Sequence, residues 1–219
     1  MRVDIWSDLV CPWCYLGKRR FERALSMREH PDDVEVVHRS FQLDPSLPAG
    51  HSLPVRDMLM RKYRMTEVEV VASQNQLEQL AAAEGLEYHL AESRTGNTMD
   101  AHRLVHFGRE QGIQDPVIER LFRAHFTENR TLFDNESLTA IGTEAGLNDV
   151  EQFLQTRRYE DAVVADHRKA HELGVRGVPF FVIDGRYGVS GAQSVEVFAQ
   201  ALARAHRDQR PGDPACAKG

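Results

Sequence analysis

The chain is poor in cysteine, with three in 219 residues. A structural zinc site usually needs four ligands, commonly two Cys or His pairs. Here Cys11 and Cys14 stand together and Cys216 is alone near the end, which excludes a four-thiolate site. The pairs His102/His106 and His167/His171 have i,i+4 spacing, but neither comes with a clear third ligand, and no metal is expected. Long apolar runs are missing too, and none approaches the roughly 18 residues that span a membrane. No charged segment followed by an apolar one opens the chain, and a strand-like stretch begins almost at Met1. A cytoplasmic location is therefore expected. Basic residues are outnumbered, 27 against 33 acidic, for a net charge of −6. That balance suits solubility and offers no basic footprint for nucleic acid. Repeats and low-complexity segments are absent. Hydrophobic residues make up 42% of the chain, enough for a real core in one large domain or two small ones.

The most informative residues are Cys11-Pro12-Trp13-Cys14. They follow a short, largely apolar stretch, Arg2-Val3-Asp4-Ile5-Trp6, that reads as a strand, and they open a helical pattern. Pro12 suits the first helical position, where its missing N–H costs nothing. Cys11 then falls at the N-cap, near free N–H groups and the positive end of the helix dipole. A thiolate is stabilised in such a place. Cys14, one turn further in, is expected to be less exposed. The spacing suits disulfide exchange, with Cys11 attacking and Cys14 resolving. Trp13 is expected on the exposed rim. The run Lys18-Arg19-Arg20 with Arg23 reads as a solvated helix face, with added positive potential near Cys11 from Lys18 as the alternative.

A second motif lies far along the chain. Gly174-Val175-Arg176-Gly177-Val178-Pro179 leads into Phe180-Phe181-Val182-Ile183, a strand-like run. Asp184-Gly185 follows as a two-residue hairpin turn, and Arg186 to Val189 returns as the partner strand. A last helix is expected from about Gln193 to His206. Sequence physics leaves the Val178–Pro179 bond open between cis and trans, since only about 5–6% of X–Pro bonds in folded proteins are cis.

Between these motifs the pattern changes. Val34 to Phe41 reads as a second strand, which the helix after Cys14 would place parallel to the first. From Asp44 to about Tyr159 the signals are helical. Thr66-Glu67-Val68-Glu69 is a capping box for a helix ending near Gly85. Further helices are expected from Thr98 to Gln111, from Asp115-Pro116 with Asp115 as cap, and after Asn135 and Asn148 as caps. The last of the series runs from about Glu160 to Leu173. The expected organisation has an α/β domain made from residues 1–43 and 160–208. It is interrupted by a helical insertion at 44–159, and a flexible tail at 209–219 follows.

Taken together, these motifs resemble a thioredoxin-like fold, and the C-P-x-C form with a large all-helical insertion resembles the DsbA family. The runs Ser7 to Gly17, Asn97 to Leu104 and Gly174 to Pro179 resemble its FrnE-like branch of thiol-disulfide oxidoreductases. The resemblance spans about residues 2 to 207. It implies a cis Val178–Pro179 bond lying against the dithiol, with the Val178 backbone presented to substrate. It implies a protein disulfide oxidoreductase/isomerase with no cofactor beyond the Cys11–Cys14 pair. Its partners would be protein or small-molecule thiols and disulfides, with glutathione as a candidate cosubstrate. The Asn97 motif approaches the cleft in relatives, so Asn97, Thr98 and His102 are candidate substrate-binding residues. Helix capping by Asn97 and Thr98 is the plainer alternative. The resemblance also brings in a rival class with the same fold, the glutathione-dependent 2-hydroxychromene-2-carboxylate isomerases and kappa-class glutathione transferases. These typically have Ser where Cys11 stands, and the two cysteines here favour dithiol chemistry. Two departures stand out. Ile5 occupies the position where many thioredoxin-fold enzymes bury an acid, and Asp4 and Asp8 are out of register, so the proton acceptor for Cys14 is unassigned. An auxiliary cysteine pair found in some FrnE-like proteins is absent; Cys216 is expected to be a free thiol.

Overall fold

The computed structural model describes residues 1–209, with side chains through Asp208. Residues 210–219, which hold Cys216 and nearly all of the expected tail, lie outside the described residues. In chain order the elements are β1 (Arg2–Ser7), α1 (Pro12–Ser26), β2 (Glu35–Ser40), β3 (Ser52–Pro54), α2 (Val55–Tyr63) and α3 (Glu67–Ala83). They continue with β4 (Arg94–Gly96), α4 (Met99–Glu110), α5 (Gln114–Phe126), α6 (Asn135–Glu144), α7 (Val150–Leu154) and α8 (Glu160–Glu172). The chain closes with β5 (Phe180–Ile183), β6 (Tyr187–Ser190) and α9 (Val195–Gln209).

The main sheet has the order β2-β1-β5-β6. β1 pairs parallel with β2 and antiparallel with β5, and β5 pairs antiparallel with β6. Strands from both ends of the chain therefore share one sheet, with β1 in its interior. Side-chain alternation along β1 explains why it is buried on both faces. Val3 and Ile5 pack with Phe21 of α1, Phe181 of β5, and Phe198 and Leu202 of α9. The Phe181 and Phe198 rings meet edge-on at 4.6 Å. Trp6 points to the other face, among Phe41, Ala170 and Val182. Its indole N–H donates to the Asp166 carbonyl at 2.9 Å, which ties the sheet to α8. The β5–β6 turn is the one that Asp184-Gly185 predicts: both residues have positive φ, 50° and 66°.

Several helix starts follow their signals and others shift by a residue. Thr66 forms both halves of its capping box with Glu69. α5 begins at Gln114, so Asp115 is not its cap; the carboxylate turns instead toward Lys18 and His38. α6 is capped by Asp134, whose side chain accepts from the Ser137 N–H at 2.8 Å, and Asn135 is already helical. α7 starts after Asp149 rather than Asn148. The block expected to be helices only also contains a short ribbon, β3 paired antiparallel with β4. Its partners lie some forty residues apart and are three residues long, too short to show a period. Gly96 permits the pairing: a Cβ there would sit 2.6 Å from the His51 carbonyl oxygen. The helical block has a core that also takes in Leu9, Val10, Cys11, Cys14, Tyr15 and Leu16 of the dithiol segment.

Candidate active site

Cys11 is the N-cap of α1, with extended backbone, and Pro12 is the first helical residue. No side chain caps this helix start. The Cys11 N–H donates to the Asp8 carbonyl at 3.0 Å, and the Cys14 N–H to the Cys11 carbonyl at 2.9 Å. These bonds close the turn that leads from β1 into α1. The Cys11 sulfur lies 3.6 Å from the Val178 carbonyl oxygen and donates to it as a thiol. The Val178–Pro179 bond is cis. Pro179 also rests on α1: a Cβ at Gly17 would come within 2.8 Å of the Pro179 ring. A residue at the helix start and a loop more than 160 positions away thus form one surface.

Both cysteines are buried and free of a disulfide. Cys14 lies deeper, and burial pushes its thiol well above the ordinary value. Its hydrogen bond to the Cys11 sulfur and the charge there push the same way. A Cys14 proton is therefore strongly held until something accepts it. Trp13 is 44% exposed at the rim. Beside the dithiol opens a cleft of about 730 Å³, lined by Cys11, Pro12 and Trp13 and by apolar residues of α2 and α3 such as Met58, Leu59 and Leu77. Its volume is in the range of small-molecule sites. α2 buries no residue at all, because its apolar side faces this cleft rather than the core.

Asn97, Thr98 and His102 do not line the cleft. Asn97 organises the loop before α4. Its Oδ1 accepts from the Met99 N–H at 2.9 Å, and its Nδ2 donates to the Leu47 carbonyl at 2.6 Å. Thr98 is buried at the N-cap without a side-chain capping bond. His102 is also buried, and its Nε2 faces Asp8 Oδ1 at 3.4 Å. Lys18 does not lie on a solvated helix face. It is 3% exposed and pairs with Glu22, with Glu119 at 2.8 Å and with Asp115 at 3.2 Å. Burial opposes its charge, but the three carboxylates outweigh burial and hold it protonated. Arg20 and Arg23 both pair with Glu84. The basic run is thus a set of ties from α1 to its neighbours.

Sequence reasoning set Asp8 aside as out of register and gave Gly17 and His125 no role of their own. Asp8 did leave a signal: it is a lone charge in the stretch from Ile5 to Val10 that otherwise reads as strand and apolar loop. Gly17 and His125 left none, because each is defined by what lies across the fold. His125 of α5 is buried, lines the cleft floor and is pushed by burial down to about 4, against the Arg130 backbone and the Asp8 charge.

A two-cysteine turn opening a helix, next to a cis-proline loop on a four-stranded mixed sheet, defines a thioredoxin-fold protein. The chain belongs to the family of the DSBA-like thioredoxin domain, whose model matches residues 2–203. At family level it is a thioredoxin-superfamily oxidoreductase. It is 30% identical to the uncharacterized protein YwbO of Bacillus subtilis over 206 residues, 92% of this chain and 96% of that protein. The crystal structure of the probable DsbA oxidoreductase of Streptomyces coelicolor is 45% identical, with a TM-score of 0.93 over 100% of this chain and 95% of that one. The fold is also that of a 2-hydroxychromene-2-carboxylate isomerase, with a TM-score of 0.70 at 17% identity, covering 95% of this chain and 98% of that one.

Proposed function

We propose that this protein is a cytosolic dithiol–disulfide oxidoreductase/isomerase that works through Cys11 and Cys14. The carrying observation is the division of the pair. Cys11 stands at an uncapped helix start against the Val178 carbonyl, and Cys14 is buried a turn behind with its proton firmly held. In the reducing direction the Cys11 thiolate attacks a substrate disulfide, forms a mixed disulfide and releases one substrate thiolate. Cys14 then attacks the Cys11 sulfur, the Cys11–Cys14 bond forms, and the second substrate thiolate leaves. Run backwards, the same steps oxidise a substrate dithiol. Val178 and Trp13 flank the reacting sulfur and are the surfaces a substrate chain would touch. No cofactor is needed. Protein disulfides and small thiols, glutathione among them, fit this chemistry. The lack of cysteines beyond the pair and Cys216 suits a reducing compartment.

The apolar cleft beside Cys11 favours one second reading, a glutathione-dependent isomerase or transferase of an apolar small molecule. One experiment separates the two. The Cys11–Cys14 couple is titrated in glutathione redox buffers, and disulfide turnover is followed for the wild type, Cys11→Ser and Cys14→Ser. An intramolecular disulfide is expected to form, Cys11→Ser to lose all turnover, and Cys14→Ser to accumulate a mixed disulfide visible by mass. If no intramolecular disulfide forms in any buffer, the dithiol reading fails and the second reading takes its place.

A further inference from the structure

Cys11 is a thiol that donates to the Val178 carbonyl. Once it gives up its proton to solvent that bond is gone, and the sulfur needs a donor instead. A side chain at an N-cap accepts from the second or third helical N–H, which here are those of Trp13 and Cys14. The Cys14 N–H is taken by the Cys11 carbonyl at 2.9 Å. Pro12 has no N–H to give. The Trp13 N–H has no backbone acceptor, so it is the donor left for a Cys11 thiolate. We propose that Tyr88 is a positioning residue for that thiolate, acting by fixing the Pro12–Trp13 peptide whose N–H serves the sulfur; this rests on the dithiol reading above.

Tyr88 stands in the segment between α3 and β4, far from the dithiol in sequence. It is buried, and its hydroxyl donates to the Pro12 carbonyl at 2.8 Å. Among the described residues this is the one side-chain hydrogen bond to the backbone of Cys11 to Cys14. The Pro12 carbonyl and the Trp13 N–H belong to a single planar peptide unit, so a bond that fixes one end fixes the direction of the other. A donor on the carbonyl also polarises the unit and strengthens its N–H as a donor. The tyrosine ring cannot follow a moving turn. It is stacked on Tyr15 at 5.9 Å and tilted against Phe126 at 5.1 Å between ring centres. Burial, with Tyr15 and both cysteines adding to it, pushes the hydroxyl well up, so it stays a donor where thiols ionise. Other titratable and charged groups also face this corner. Asp8 acts on Cys14, and Asp44, Arg61, Lys62, Tyr63 and His125 line the cleft with Cys11. None of them hydrogen-bonds the Pro12–Trp13 peptide among the described residues.

The test compares Tyr88→Phe, which keeps the ring and removes the hydroxyl, with the wild type in a Cys216→Ser background. One readout is the exchange equilibrium of the Cys11–Cys14 pair with glutathione at about pH 8. The other is the rate of single alkylation of the reduced protein by iodoacetamide, followed by mass, at about pH 6 and about pH 9. Without the hydroxyl the thiolate should be about fivefold less populated, the effect of one hydrogen bond. The reduced pair is then less stable, and the exchange constant should shift about fivefold toward the Cys11–Cys14 disulfide, about 20 mV more reducing. Alkylation should be about threefold slower at about pH 6 and within about twofold of the wild type at about pH 9, because a less stabilised thiolate is also the better nucleophile. Trp13→Pro removes the N–H itself at a first-turn position that accepts proline, and it should show the same shifts relative to Trp13→Ala. Tyr88→Phe should add its effect to Trp13→Ala and nothing to Trp13→Pro. A Tyr88→Phe protein that loses stability but keeps the wild-type exchange constant and alkylation rates would mean that Tyr88 only packs, and would overturn the proposal. Equal effects of Tyr88→Phe in the two Trp13 backgrounds would overturn it too. If Tyr88→Phe does not fold, Trp13→Pro against Trp13→Ala decides, and no difference between them overturns the proposal. If no intramolecular disulfide forms, the dithiol reading fails instead, and the alkylation rates still decide the role of Tyr88.

Discussion

Gly17 shows how much a single position can control at this site. It lies on α1 within the turn after Cys14, and its missing side chain is what allows the Pro179 ring to rest on the helix. An added methyl would stand 2.8 Å from that ring and 3.4 Å from Ala192. The helix backbone is fixed by its own hydrogen bonds, so the Pro179 loop must give way. Gly17→Ala is therefore expected to move the Val178 carbonyl off the Cys11 sulfur. It should also destabilise the fold by about 1–3 kcal/mol, even though alanine is the better helix former. Turnover and a urea melt check this together: lower stability with unchanged disulfide turnover would mean that the loop position does not matter to the chemistry. Asp8 belongs to the same scale. It is a loop residue whose carbonyl shapes the dithiol turn and whose buried carboxylate accepts from the Leu43 N–H.

α1 carries the dithiol at one end and is held along its length by charge. Lys18 reaches Glu119 and Asp115 on α5, and Arg20 and Arg23 reach Glu84 just past α3. The helix that positions Cys11 is thus tied to the helical block as well as packed on the sheet. Because Lys18 is buried and its partners are partly exposed, removing it leaves carboxylates that can still find water. The cost should sit below that of breaking a fully buried pair. Lys18→Met is expected to destabilise the protein by about 2 kcal/mol at neutral pH, measured by urea unfolding. Burial pushes Glu119 up, but the charge and hydrogen bond of Lys18 outweigh it and hold the carboxyl below the usual range. A group lowered in this way contributes stability that is present above its unfolded value of about 4.3 and lost as pH falls below it. The Lys18→Met deficit should therefore shrink in acid. A deficit constant with pH would mean that Lys18 acts through packing alone.

Among the described residues the apolar core forms three clusters, and both cysteines lie in the one that belongs to the helical block. This makes the block part of the site, as the wall of the cleft and the source of His102 and His125. Acid should act on this junction first. His125 is pushed down to about 4 by burial, against an unfolded value of about 6.5. Its folded value is depressed, so the stability it contributes is present above about pH 6.5 and is lost as pH falls toward about 4. That amounts to about 3 kcal/mol. His167, lowered by burial and by its neighbours, acts with the same sign. Unfolding free energy should therefore drop between about pH 6.5 and about pH 4.5, above the range where carboxylates protonate. The drop should be smaller in His125→Gln. Equal pH dependence in the two proteins would show that His125 is not the group being titrated.

By itself the sequence determined what is local: the Cys11-Pro12 helix start, the Thr66 capping box, the Asp184-Gly185 turn, and the alternation that buries β1. These follow from contacts within a few residues, which backbone sterics and hydrogen bonding settle without the rest of the chain. The dithiol and its cis-proline partner were legible because each sits in such a local frame, and the resemblance joined them. Only the tertiary structure decided the rest. It buried Lys18 among three carboxylates where a short basic run had read as surface. It turned His102 inward to Asp8, away from the cleft that its helix was expected to reach. It brought β3 and β4 together, opened an apolar cleft beneath α2, and set Pro179 on Gly17. Each of these depends on what packs across from a residue, and burial and partner are not carried by the residue's own neighbours in the chain.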